Sequence, residues 1–224
     1  MTNTLHRFGD RESLQNDYII FAMAARGIND TDAPPKLQAF LRLALKHNPI
    51  NVGNAVKGGI FRASPRLTPF AHWRRREFVD PMEVVESVQS CTTVSAVFDD
   101  PTRLESFLRD LRAADLGISI NIAALTDEAR DCCQRVGITR HSVEYSLGFH
   151  GDLNLLPDRR VLELSTMCGH GMISHNFAKK MIDWLKEGRR DSQQAATYLA
   201  KFCTCGIYNT TRAIRVLEEA RVGK

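Results

Sequence analysis

The chain has no apolar run long enough to cross a membrane. Its longest, Tyr18 to Ala25, covers eight residues, against roughly 20 for a spanning helix. The first residues, Met1 to Arg7, lack the apolar stretch of a secretory leader, so a cytoplasmic protein is expected. Strong charge is missing too: 30 Lys and Arg against 26 Asp and Glu leave +4 over 224 residues. That is a mild excess without a recognised nucleic-acid signature, so nucleic acid is not an expected partner. No Cys-x2-Cys pair occurs, and the common zinc-ribbon and ferredoxin spacings are therefore absent. Nor is there a Walker A loop. In Gly53-Asn54-Ala55-Val56-Lys57-Gly58-Gly59 the lysine precedes the second glycine and no Ser or Thr follows it, so a turn next to a strand is the simpler reading.

What is present is an ordinary globular composition, 43% hydrophobic and 25% charged, enough for one core with a small appendage. Residues 1–15 are polar and are expected to form a flexible N-terminus. His72 and Trp73 lead into Arg74-Arg75-Arg76. This is either a solvated loop or a local anion site, because a guanidinium grips carboxylate or phosphate in a bidentate fork.

The architecture shows in an internal repeat. Pro34-Pro-Lys-Leu37-Gln-Ala-Phe40-Leu41-Arg42 matches Pro101-Thr-Arg-Leu104-Glu-Ser-Phe107-Leu108-Arg109 at five of nine positions. Each copy follows a strand-like run, Tyr18 to Ala25 and Thr93 to Phe98. Each precedes another, the second being Ile118 to Ala124. Proline suits a first helical turn, where its missing N–H would be unpaired anyway. Leu37, Phe40, Leu41 and Ala44 share one helical face, as do Leu104, Phe107, Leu108 and Leu111. Two pseudo-repeated βαβ units predict an α/β (α+β) chain built as a ferredoxin-like sandwich over residues 16–167.

Beyond the repeat, a helix is expected from Asp127 to Arg135 with Thr126 as its cap, then strands at Ser142 to Leu147 and Arg160 to Leu164. Residues 168–224 change character. Phe177, Met181, Trp184 and Leu185 make one helix face closed by Gly188. Asp191 with Gln194 forms a capping box, and Asn209 caps a last helix. The expectation is a small, Cys/His-containing region of three helices.

Six cysteines, one adjacent pair among them, do not suit a disulfide scaffold in a chain of this size. Cys91, Cys132 and Cys133 read as core. Three others lie in two glycine-flanked turns, Cys168-Gly169-His170-Gly171 and Cys203-Thr204-Cys205-Gly206. Cys168, placed at a strand end ahead of a helix starting near Ser174, would sit where backbone N–H groups and a helix dipole favour thiolate. Cys168, Cys203 and Cys205, with His170 or His175 as a fourth donor, match the soft ligand set of zinc. The three cysteines alone match a [4Fe–4S] cluster with an open iron. This predicts a metal- or iron–sulfur-binding protein, with Cys168 and His170 catalytic toward a small anionic (carboxylate) substrate. Two alternatives are a cofactor-independent enzyme using paired cysteines for proton transfer, and a non-enzymatic module with a structural zinc site. His150, between Gly148 and Gly151, reads as a surface turn.

Met167-Cys168-Gly169-His170-Gly171 resembles the Met-Cys-Gly-His-Gly motif of the proline racemase and hydroxyproline epimerase family. The resemblance implies that Cys168 is an acid or base at a substrate α-carbon, faced by Cys205 with Gly206 after it. It covers about seven residues. The second motif of that family has Asp and Ser-Pro before its cysteine, where this chain has Phe202-Cys203-Thr204.

Overall fold

Tyr18–Met23 (β1) is buried along its length because both of its faces meet apolar partners. In the computed structural model, which describes residues 6–61 and 78–223, it lies inside a five-stranded antiparallel sheet. The other strands are Asn51–Asn54 (β2), Gly58–Gly59 (β3), Thr93–Phe98 (β4) and Ser119–Ala123 (β5), in the order β3-β2-β4-β1-β5. Arg74 to Arg76 and His72 fall outside the described residues. Among the described residues no helix is long and apolar enough to cross a membrane.

The repeat supplies the first face of the sheet. Ala33–Lys46 (α2) and Pro101–Ala114 (α4) both begin with proline in the first turn. Asp100 caps α4 by accepting from the Thr102 and Arg103 amides at 2.7 and 3.1 Å. The helices bury Leu37, Phe40, Leu41 and Ala44, and Leu104, Phe107, Leu108 and Leu111, as their spacing predicts. Corresponding phenylalanines of the two copies touch: Phe40 meets Phe107 edge-on at 5.3 Å, and Phe107 stacks on Phe98 at 5.2 Å. Tyr18, Ile20 and Ala22 of β1 and Val94, Ala96 and Phe98 of β4 complete this core, joined by short Pro81–Glu86 (α3). Each such buried side chain stabilises the fold by about 1.5–3 kcal/mol.

The opposite face is covered by the C-terminal helices Arg159–Thr166 (α6), His175–Lys186 (α7), Ser192–Lys201 (α8) and Thr210–Arg221 (α9). Ile19, Phe21 and Val97 point into this second core, among Leu164, Met167, Met181, Leu199, Tyr208 and Leu217. The sheet is thus sandwiched between two helical layers. The caps foreseen in the sequence form here: Asp191 accepts from the Gln194 amide and Asn209 from the Arg212 amide.

Two expected strands differ. Arg160 to Leu164 lies in helix α6, because Asp158 caps it and Glu163 pairs with Arg159 and Arg160, four and three residues back. Helical pairing at those spacings decides what a five-residue apolar run leaves open. Ser142 to Leu147 alternates like a strand, but it forms none, and residues 141–155 are exposed throughout. Alternation alone makes no ladder without a neighbouring strand. The remaining elements are one turn at Arg11–Leu14 (α1), Thr126–Val136 (α5) and a 3-10 turn at Leu153–Leu155. Helix α5 begins one residue earlier than expected, with Leu125 in the capping position.

Candidate functional site

Both cysteine turns finish helices. Cys168 follows α6, its amide bonded back to the Ser165 carbonyl, and Gly171 takes the left-handed φ of +66° that closes the turn. Cys203 follows α8 in the same manner, bonded to the Ala200 carbonyl, and Gly206 has φ +70°. Glycine adopts this conformation without the steric cost that a Cβ brings.

The two turns then meet on the sheet. Gly53 and Gly59, on the β2–β3 hairpin, lie so close to the second turn that a Cβ on Gly53 would stand 2.0 Å from the Cys205 carbonyl oxygen, and one on Gly59 2.6 Å from the Gly206 Cα. The glycines that faintly suggested a phosphate loop therefore make room for backbone. Ser95 Oγ donates to the Cys205 carbonyl at 2.9 Å, and Asn51 Nδ2 to the Tyr208 carbonyl at 3.3 Å. Tyr208 in turn donates its hydroxyl to the Leu164 carbonyl at 3.1 Å, tying α6 to the loop before α9.

The result is a line of soft donors. The Cys203 and Cys205 sulfurs are 3.9 Å apart, Cys205 Sγ lies 3.4 Å from His170 Nδ1, and Cys203 is the neighbour that acts most strongly on the Cys168 thiol. All three thiols are free and buried, whereas His170 is exposed and forms the outer end of the line. His175, the other candidate, is exposed in the first turn of α7 and makes no hydrogen bond to this line. Among the described residues no group of three or more His, Cys, Asp or Glu side chains is arranged to hold a metal ion. The donors touch in sequence and do not surround one point.

Charge falls where the sequence did not place it. The hydrogen bond to Cys203, and then burial, push the Cys168 thiol far up. Cys168 also sits at the C-terminal end of α6, where the helix dipole opposes an anion, and not at a strand end. Cys168 pulls the Cys203 thiol down, but the contact with Cys205 and burial together push it up to about 12. Cys205 is held below the ordinary thiol value by the hydrogen bond from Cys203, against the effect of burial. Of the three thiols, Cys205, next to the imidazole, is the one whose ionisation the site favours. Cys132 and Cys133 are buried in α5, and burial raises Cys132 to about 11. Cys91, read as core, is exposed because it lies in the short connection ahead of β4.

Sequence reasoning missed a buried ionic cluster behind the thiols. Asp17 accepts from Arg7, from Arg212 Nη1 at 3.1 Å and from Asn209 Nδ2 at 2.9 Å. Burial alone would raise the Asp17 carboxyl, but the two guanidiniums more than offset this and hold it below the usual range. Arg7, in the segment expected to be a flexible N-terminus, is 5% exposed. The available signal was slight: an acid directly ahead of an apolar strand.

A separate cleft of about 830 Å³ lies beside β5, lined by Ile120, Ile122, Arg112, Cys133 and Arg140 among others; it includes none of the thiol-site residues. No protein-family model, no curated protein and no solved structure matches the chain.

Proposed function

We propose that Cys168, Cys203, Cys205 and His170 bind one soft metal ion, zinc or iron, and that the protein is a metal-binding protein whose centre opens to a small anionic molecule at its His170 end. One observation carries the reading: soft donors from two turns 35 residues apart meet, Cys203 with Cys205 and Cys205 with His170, with Cys168 buried two residues before that histidine. Zinc–sulfur bonds of about 2.3 Å at the tetrahedral angle set sulfurs about 3.8 Å apart, close to the 3.9 Å between Cys203 and Cys205. A cubane iron–sulfur cluster anchors each cysteine on a different iron and spreads the sulfurs wider, so the spacing favours a single ion. Closing the line around that ion requires Cys168 and His170 to swing toward Cys205, and Gly169 and Gly171 give their turn that freedom.

In the same reading the sheet is a ferredoxin-like pair of interleaved units, β1–α2–β2 and β4–α4–β5, supported by the strand order β2-β4-β1-β5. Residues 16–167 then form the α/β unit and 168–224 the Cys/His helical region, the two sharing one core across the sheet. An intracellular, reducing setting suits six free thiols.

A second reading is favoured by the 3.4 Å approach of Cys205 Sγ to His170 and by the lowered Cys205 thiol. It is a metal-free cysteine–histidine pair for proton transfer, with the active sulfur moved from Cys168, where the racemase-like motif would put it, to Cys205. Metal and acid-labile sulfide content of anaerobically purified protein separates the readings. The metal centre is expected to give about one zinc or iron per chain without sulfide, and Cys203→Ser is expected to lose metal and thermal stability together. Sulfide with iron would replace the single ion by a cluster. A folded wild-type chain that takes up neither zinc nor cobalt would sink the metal reading and bring the Cys205–His170 pair forward.

A further inference from the structure

The two cysteine turns are tied together by a residue from the far end of the chain. Arg7 Nη2 donates to the Met167 carbonyl at 3.0 Å and to the Ile207 carbonyl at 2.5 Å. Met167 directly precedes Cys168, and Ile207 follows Cys205 by two. The other arm of the guanidinium, Nη1, is bound to Asp17, which Arg212 and Asn209 hold in place. Backbone bonds dock the rest of the segment: the Phe8 amide donates to Thr166 Oγ1 at 2.8 Å, and Arg212 Nη2 donates to the Phe8 carbonyl at 2.7 Å. Arg7 Nε is buried without a partner, so one donor is left unsatisfied while the other two nitrogens are placed.

We propose that Arg7 is the positioning residue of the thiol site, and that docking of the N-terminal segment brings the Cys168 turn and the Cys203–Cys205 turn within reach of each other. Arg7 touches no sulfur and acts through the two carbonyls. A guanidinium is needed because it is a rigid fork with several donors, so that one side chain serves a carboxylate and two carbonyls at once. A lysine keeps the charge opposite Asp17 but offers a single nitrogen that cannot reach all three acceptors. The effect on metal binding rests on the metal reading above; the effect on the thiols does not.

The test compares the full wild-type chain with Arg7→Lys in two measurements. In the first, reduced metal-free protein is treated with diamide, which takes two thiol hydrogens and becomes the hydrazine as a disulfide forms between Cys168 and a thiol of the other turn, Cys203 or Cys205. The rate of that link is followed by peptide mapping. In the second, zinc affinity is measured by competition with a chromophoric chelator. Arg7→Lys is expected to keep cooperative unfolding, to form the link about tenfold more slowly and to bind zinc about 10- to 100-fold more weakly, the range for residues that orient metal ligands. A folded Arg7→Lys chain with an unchanged link rate and unchanged zinc affinity overturns the proposal. Slower linking in the variant, with no zinc uptake by wild type, removes the metal reading and leaves the role of Arg7 standing. Should Arg7→Lys fail to fold, Thr166→Val decides, because it loosens the same segment at Phe8 and keeps Arg7. A two- to threefold slower link supports the role, and an unchanged rate overturns it.

Discussion

The two faces of the sheet are made from the same strands and differ in kind. On the repeat face, Tyr18, Ile20, Ala22, Val52, Val94, Ala96 and Phe98 meet the apolar stripes of α2 and α4. On the thiol face, the alternate positions of the same strands include Asn51, Gly53 and Ser95, each in contact with the turn that holds Cys205 or with Tyr208 beyond it. Apolar stripes fill space and tolerate exchange at similar volume. The thiol face trades apolar volume for close backbone approach and directed hydrogen bonds, which fix where each sulfur stands. Asn51, Gly53 and Ser95 thus mark where the Cys205 turn and the loop after it dock on the sheet.

The largest expected effect is a paired one. Phe107→Ala, at the junction of the repeats, is expected to lose about 3–5 kcal/mol of stability through its cavity. Asp17→Asn is expected to lose a similar amount by leaving Arg7 and Arg212 without their counter-charge. Urea unfolding should give both losses, while alkylation of Cys205 by iodoacetamide should change only in Asp17→Asn. Equal changes in Cys205 reactivity would erase the distinction between the faces. The pair also differs in acid. Asp17 has a folded pKa below its unfolded value of about 3.9, so its contribution is fully present above that pH and is lost as pH falls through the depressed folded value. Stability measured from pH 6 down to pH 2 should fall in wild type and in Phe107→Ala, and fall less steeply in Asp17→Asn.

A smaller effect sharpens the comparison. Gly53→Ala drives a methyl group into the Cys205 carbonyl, from which an unshifted Cβ would be 2.0 Å, and is expected to cost about 1–3 kcal/mol with displacement of the Cys203–Cys205 turn. Gly27→Ala serves as its control. That glycine has φ +73° and open space around it, so only backbone strain of about 1 kcal/mol is expected there, with Cys205 alkylation unchanged. Identical labelling in both variants would mean that the hairpin glycines do not position the turn. The smallest effect expected is that of Ser95→Ala. Removing the hydroxyl that serves the Cys205 carbonyl should cost about 1 kcal/mol and accelerate amide exchange at Gly206 and Ile207, with little change on the repeat face.

Helices α2 and α4, with their prolines and buried faces, were legible because 3.6-residue periodicity is carried within about a dozen residues. The caps at Asp191 and Asn209 were legible for the same reason. Helix α6 was misread because Val161, Leu162 and Leu164 suit a short buried strand as well as one helical face, and its deciding pairs run through a buried glutamate. Of the thiol site, the sequence supplied the members: Cys168, Cys203, Cys205 and a nearby histidine. It did not supply their contacts, the choice of His170 over His175, or which thiol is held low.

By itself, then, the sequence determined the repeat, its helical faces and the two glycine-flanked cysteine turns, all set by residues within a few positions of one another. Tertiary structure alone decided that the C-terminal helices cover the second face of the sheet, that Cys205 rather than Cys168 is the thiol held low, and that Arg7 joins the two turns. These outcomes depend on contacts 35 to 200 residues apart along the chain. A thiol's ionisation and a guanidinium's acceptors are set by what surrounds them in space, and local pattern does not encode those surroundings.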